Sequence, residues 1–277
     1  MKDIISQVQN KGIFYYKNFL LKDEVNYIIH LLKNDIREKG DKKSYLVLTK
    51  KEIFIKLIKL QFPLIYKSFI LKKISKEKKM KFITDEILQG TTSLKMIDFY
   101  KTVKNTGDVL PWHIDLAYSG KKNVLSSQLA NPYLNKIKFI IYLTKAGPHN
   151  GSTSFIPESH KITLALREGL YFKKIKYKPH WNLRDLVAFV RENEGFLKDY
   201  FNSDAELNSF LGQTEICLND NKTNEFDFEF EPGDAIIFDE GGVHRGSKST
   251  LNDRMVLRYH FSLDDVKLKV NENKFKF

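Results

Sequence analysis

From about residue 93 onward the chain reads as a succession of short strand-like runs broken by turns, and few architectures accept that rhythm. Residues 94–100, 136–143, 152–156, 226–230, 235–238 and 255–262 are apolar, aromatic or β-branched in character. Between them lie Asn105-Thr106-Gly107-Asp108, Gly147-Pro148, Asn150-Gly151 and Pro232-Gly233-Asp234, which are turn chemistries. Many short strands leave many edges, and rolling the sheets into a barrel or jelly roll removes most of them. One helical insert interrupts the strands. Asn182 is placed to cap a helix that carries Asp185 in its first turn and Leu186, Phe189 and Val190 on one face. Ser203 is placed to cap a second, ending near Gly212.

The first third has a different texture. Residues 12–16 form a short strand, and Val25, Ile28, Ile29, Leu32 and Ile36 recur at helical spacing, with Asp23 and Glu24 near the start and Gly40 beyond the end. A second helix is expected over residues 51–62, stopped by Pro63, followed by a polar surface segment over 72–81. No low-complexity linker or internal repeat divides the 277 residues. The expected organisation is one domain over 1–277 of mainly β, α+β class, with flanking helices around a double-stranded β-helix (jelly-roll, cupin-like) core. Residues 1–92 are the mixed support, 93–262 the core, and about 163–214 the helical insert. That insert and the region between Tyr118 and Lys136 are expected to form a lid over the site.

Composition narrows the function classes. The single cysteine, Cys217, excludes a disulfide framework and fits a reduced, cytoplasmic setting. No apolar run reaches membrane-spanning length, and Met1-Lys2-Asp3-Ile4 does not open a signal-like stretch. The formal charge of +12 is spread along the chain, with local clusters at 72–81 and 173–178. Neither cluster has the form of a nucleic-acid module. The charge is read as a solvated basic surface first and as a match to an anionic substrate second. The expected partner is a small molecule, not nucleic acid.

The chemistry-bearing residues sit within the strand region. His113 and Asp115 form an HxD pair, and on a strand residues two apart point the same way. His244 follows the Pro232-Gly233-Asp234 turn and the apolar run to Phe238, and Arg254 lies ten residues further on. Two imidazoles and one carboxylate can occupy one face of an octahedral Fe(II) ion and leave the opposite positions open. An arginine nearby suits the carboxylate of a cosubstrate. Trp112 is expected to pack beneath the site, His160 to be structural, and His149 and His180 to lie at the surface.

These motifs, in this order, resemble the phytanoyl-CoA hydroxylase (PhyH) family of iron(II)- and 2-oxoglutarate-dependent dioxygenases. The resemblance rests on Trp112-His113-Ile114-Asp115, on Asn150-Gly151 leading to Ile156-Pro157-Glu158-Ser159-His160, on Pro232-Gly233-Asp234 through Phe238, and on His244 to Arg254. It implies that His113, Asp115 and His244 bind iron, that Arg254 pairs with the distal carboxylate of 2-oxoglutarate, and that O2 is the co-reactant. Tyr142, Thr144 and Ser247 are the further candidates for 2-oxoglutarate contact, and Tyr118, Arg245 and Arg258 for substrate. Two departures stand out. Glu158 occupies a place where the family usually has glycine, and Ser247 falls one residue later than the usual serine. Asp115 separates the chain from halogenase variants, which have a small residue there.

The expected activity is oxidation, by hydroxylation or otherwise, of an unactivated C–H bond of a small, anionic or carrier-linked metabolite. The alternatives are a cupin-type metal enzyme that does not use 2-oxoglutarate, against which Arg254 speaks, and a catalytically silent β-barrel binding module with a basic surface, against which the intact ligand set speaks.

Overall fold

The computed structural model describes residues 1–34, 42–46, 50–105, 112–115, 135–148, 150–171, 183–217 and 227–264. The first third supplies α1 (Lys2–Lys11), β1 (Ile13–Tyr16), α2 (Lys22–Leu32), β2 (Lys42–Leu46), α3 (Lys50–Ile58), α4 (Phe62–Glu77) and α5 (Met80–Leu88). Then follow β3 (Thr92–Thr102), β4 (Lys136–Tyr142), β5 (Thr153–Phe155), α6 (Ser159–Tyr171), α7 (Leu183–Glu192), α8 (Glu194–Leu197) and α9 (Asp204–Cys217). The chain closes with β6 (Ala235–Asp239), β7 (His244–Gly246) and β8 (Arg254–Leu263).

Six strands pair antiparallel in the order β1-β6-β4-β8-β3-β2, and β5 pairs with β7 in a second sheet. Isolated bridges His113–His244 and Ser154–Asp227 extend that smaller sheet on both sides. Two facing antiparallel sheets of this kind are the jelly-roll arrangement expected from the strand rhythm.

Side-chain alternation sorts the core into layers. Ile137, Phe139 and Ile141 of β4, Ile237 of β6 and Leu257, Tyr259 and Phe261 of β8 pack beneath Val8, Ile28, Leu71 and Ile83 from the N-terminal helices. The intervening residues Ile140, Tyr142, Ile236, Phe238 and Val256 face the other way and meet Phe155 and Phe230 between the sheets. A third cluster puts Trp112, Ile114, Ile156 and Val243 under Leu166, Leu186, Val190 and Phe210. Tyr142 ties the sheets together: its hydroxyl donates to Thr153 Oγ1 at 3.0 Å and accepts from Thr153 N at 2.9 Å.

Several local expectations change. Pro63 opens α4 instead of ending the preceding helix, because proline suits a first turn whose N–H has no helical partner. Residues 72–81 run through the end of α4, a turn at Lys78-Lys79 and the start of α5, and are half-anchored: Ile74 and Ser75 of α4 and Met80 of α5 are buried. Of the strand expected over 226–230, the described residues retain two bridges, Ser154–Asp227 and Ala146–Phe230. Most of the segment between Tyr118 and Lys136 lies outside the described residues, while the described part of the helical insert packs its apolar faces behind the smaller sheet. Within it, Ser203 Oγ accepts from Glu206 N at 3.2 Å and caps α9, which runs past Gly212 to Cys217. Asn182, Gly40, Tyr118, His149 and His180 lie outside the described residues.

Glu158 has φ 68°, the left-handed backbone that glycine adopts without cost. Its backbone N donates to Lys11 O at 2.8 Å and its carboxylate pairs with Lys11 Nζ, two contacts that hold this backbone in place. No helix among the described residues is long and apolar enough to cross a membrane.

Candidate active site

The ligand residues meet because of backbone pairing. His113 N donates to His244 O at 2.9 Å and His244 N donates to His113 O at 3.0 Å, so the two residues face each other across a hydrogen-bonded antiparallel pair. Such pairs carry their side chains on the same face, and here the ring centroids are 4.4 Å apart. Asp115 lies two residues along from His113 and reaches the same point. His113 Nε2 is 3.4 Å from Asp115 Oδ1, and His244 Nε2 is 3.5 Å from Asp115 Oδ2. One ligand atom from each of the three residues lies within 4.8 Å of the others.

The protonation of this set suits a cation. Burial alone would raise the Asp115 carboxyl, but its contacts to His113 and His244 and the charge on Lys138 outweigh burial and hold it far below the usual carboxylate range. His244 is pushed down, chiefly by burial, so its imidazole stays neutral. His244 Nδ1 lies 2.9 Å from Gly242 O, and with the proton on that nitrogen Nε2 is left as a lone-pair donor. Two imidazoles and a carboxylate with these separations fit a divalent ion such as Fe(II).

Sequence reasoning missed what stands behind Asp115. Lys138, buried on the inward face of β4, places Nζ 2.7 Å from Asp115 Oδ2 and 3.7 Å from Glu240 Oε1. Glu240 Oε1 is 2.9 Å from His260 Nδ1, His260 Nε2 is 3.1 Å from Asp98 Oδ2, and Arg258 Nη2 donates to the same oxygen at 2.9 Å. A row of acidic and basic groups thus runs from Asp115 through Lys138, Glu240 and His260 to Asp98 and Arg258, across the interior face of β4, β8 and β3. Burial opposes ionisation of Glu240, yet Lys138 and His260 bring its carboxyl down to about 2. The available signal was a lysine inside the otherwise apolar run of β4 and an aspartate inside β3, since buried charges are rare without partners.

The remaining candidates divide. Arg254 stands at the inward-facing start of β8, its guanidinium carbon 5.6 Å from the Tyr142 ring centroid. Arg254 Nε and Ser249 Oγ are buried and have no hydrogen-bond partner among the described residues. Both residues crowd Gly151, whose φ is +78°. A Cβ there would meet Ser249 Oγ at 2.5 Å and Arg254 Cδ at 2.6 Å. Unpaired buried donors beside a guanidinium are what a carboxylate ligand would satisfy. Ser247, by contrast, turns its hydroxyl to Gly147 O at 3.2 Å and Ser152 O at 3.3 Å, so Ser249 is the serine beside Arg254. Thr144 Oγ1 accepts from Met255 N at 2.9 Å, and the Tyr142 hydroxyl is spent on Thr153, so both act in holding strands together. Arg245 points away from the ligand set. It grips Asp227 through Nη2 at 2.8 and 2.9 Å and lies over the Trp112 ring, on the opposite face of β7 from His244. Arg258 is held by Asp98 within the charged row. His160, expected to be structural, lies away from the ligand set with its Nε2 3.1 Å from Gln9 O.

The model of the phytanoyl-CoA dioxygenase (PhyH) family matches residues 35–256. The chain belongs to the phytanoyl-CoA dioxygenase family. An oxygenase-type enzyme is the corresponding function class. Among solved structures, it is similar to the non-heme alpha-ketoglutarate-dependent carbocyclase SnoK from nogalamycin biosynthesis, at TM-score 0.55 and 13% identity over 96% of this chain and 85% of that one. It is also similar to EvdO2 from Micromonospora carbonacea var. aurantiaca complexed with 2-oxoglutarate, at 0.52 and 12% over 97% and 93%. The epimerase SnoN in complex with Fe3+, alpha ketoglutarate and nogalamycin RO aligns at 0.52 and 10% over 95% and 83%. At these identities the likeness establishes a shared fold. No curated protein sequence matches the chain.

Proposed function

We propose that residues 1–277 form one catalytic unit that binds Fe(II) through His113, Asp115 and His244, takes 2-oxoglutarate and O2, and hydroxylates an unactivated C–H bond of a small anionic or carrier-linked metabolite. The observation that carries this reading is the convergence of two imidazoles and a carboxylate on one point, together with unpartnered polar atoms at Arg254 and Ser249. The iron and 2-oxoglutarate bound by SnoN and the 2-oxoglutarate bound by EvdO2 support it.

When bound, iron, 2-oxoglutarate and O2 together supply a two-electron oxidant, one oxygen atom going to the substrate carbon and the other to succinate, with release of CO2. The chain's own groups provide the frame. Asp115 remains anionic and His244 neutral near pH 7, so both are ligands without first losing a proton. Lys138 holds the Asp115 carboxylate in place and balances its charge. Arg254, with the Ser249 hydroxyl, is the grip for a carboxylate end of the cosubstrate. The net charge of +12 favours the approach of anionic molecules.

The test is succinate production from 2-oxoglutarate by the purified protein with Fe(II) and ascorbate, compared with His113→Ala. Activity above background that disappears in the variant is the expected result. A wild-type protein that binds Fe(II) but leaves 2-oxoglutarate unconsumed in the presence of candidate substrates would overturn the cosubstrate assignment.

A further inference from the structure

The N-terminal helices carry a feature the reaction does not use. α3 and α4 form a hairpin on the side of the molecule away from the smaller sheet. α4 is anchored chiefly by its C-terminal part: Ser68, Leu71, Ile74 and Ser75 are buried, Tyr259 Oη donates to Leu71 O at 3.0 Å, and nearer the start Leu64 is half-buried against the same core. The other half of the hairpin presents its apolar side chains outward. Phe54, Ile58, Leu60, Phe62, Tyr66 and Phe69 are each more than half exposed, with Leu60 at the tip reaching 73%. Phe62, Tyr66 and Phe69 are spaced four and three residues apart, so they form one stripe along α4, while Phe54 and Ile58 do the same on α3. Soluble monomers rarely leave so many large apolar side chains contiguous and uncovered.

The charge around this stripe selects its partner. Positions 53 to 77 hold six lysines and one glutamate. A second copy of the same hairpin would bring these lysines face to face, which disfavours self-association through it. Phosphates of nucleic acid would suit the lysines but not the aliphatic tip formed by Ile58 and Leu60. An anionic lipid bilayer suits both, taking the phenylalanine, isoleucine and leucine side chains into the headgroup boundary and the lysines against its phosphates. We infer that the α3–α4 hairpin is a docking surface for anionic membranes, on which the protein lies peripherally. The inference stands apart from the metal chemistry.

The intact protein, sedimented with phosphatidylcholine vesicles and with vesicles in which part of the lipid is phosphatidylglycerol, tests it. The expected result is capture by the anionic vesicles, about tenfold or more above the neutral ones. Phe62→Ser/Phe69→Ser and Lys59→Glu/Lys76→Glu each reduce that capture about tenfold, with melting temperature unchanged because all four side chains are exposed. Wild-type protein left in the supernatant with both vesicles overturns the inference. So does capture that neither double variant reduces, or a wild-type dimer that Phe62→Ser/Phe69→Ser converts to monomer, which would make the stripe a contact between copies.

Discussion

Lys138 Nζ lies 2.7 Å from Asp115 Oδ2, a buried ammonium set directly behind a carboxylate that faces the proposed metal position. The contact fixes the carboxylate's orientation and limits its negative charge. Lys138→Met would leave both Asp115 and Glu240 without this cation. Groups that orient a ligand typically change metal affinity by about 10- to 100-fold, and a loss in that range is expected from competition titration of Fe(II) or Co(II) against a chelator. Lys138→Arg, which keeps the charge, restores most of it. Equal affinity in the methionine variant would mean that Lys138 plays no part in positioning Asp115.

Arg254 and the ligand triad should separate in their effects. Arg254→Met removes the guanidinium beside Ser249 but touches none of the three ligands. Removing one side of a charged pair costs about 2 kcal/mol or more, roughly thirtyfold in an equilibrium constant. The expected outcome is a KM for 2-oxoglutarate raised at least that much with Co(II) affinity unchanged. His244→Ala should instead abolish metal binding. Steady-state kinetics and metal titration on both variants check the separation.

Gly242 has no room for a side chain. A Cβ at that position would lie 2.0 Å from Phe155 Cζ. Gly242→Ala therefore forces Phe155 out of the layer between the sheets, at a cost of about 1–3 kcal/mol, and moves the carbonyl that orients His244. Thermal melting should fall by several degrees and metal affinity should fall with it. Gly246→Ala is the control, because nothing lies within 4 Å of its added carbon.

The metal-free protein should lose stability as pH falls below the ordinary imidazole value of 6.5. His160 is buried and its folded-state value is lowered, so the unfolded chain takes up a proton that the folded chain refuses. His244 acts in the same direction. Above 6.5 neither contributes a slope. Asp239, raised by burial, works in the opposite sense, so the comparison with a variant carries the test. His160→Gln, melted from about pH 7.5 to about pH 5.5, should show a shallower decline than wild type. An identical decline would show that His160 is not held neutral.

Much of this arrangement was legible in the residue order. HxD spacing brought His113 and Asp115 towards one point without knowledge of the fold, and the apolar, aromatic and β-branched character of residues 136–143 and 255–262 located two central strands. Boundaries failed where one residue type serves two purposes: Pro63 both excludes a helix interior and starts one. The row through Lys138, Glu240, His260 and Asp98 was not legible, because it joins β4, the residue after β6, β8 and β3, whose proximity depends on strand order. The juxtaposition of Ser249 and Arg254 was not legible for a similar reason: both crowd Gly151, so it depends on the turn at Asn150-Gly151, a hundred residues earlier in the chain.

The paired amides of positions 113 and 244 have a further consequence. They set the two imidazoles as part of ordinary sheet formation, so the conformational freedom lost in bringing distant segments together is lost before any ion arrives. Metal binding at the proposed site should then be a local event: stripping the ion with a chelator should leave the surrounding architecture intact, and reloading should require no refolding.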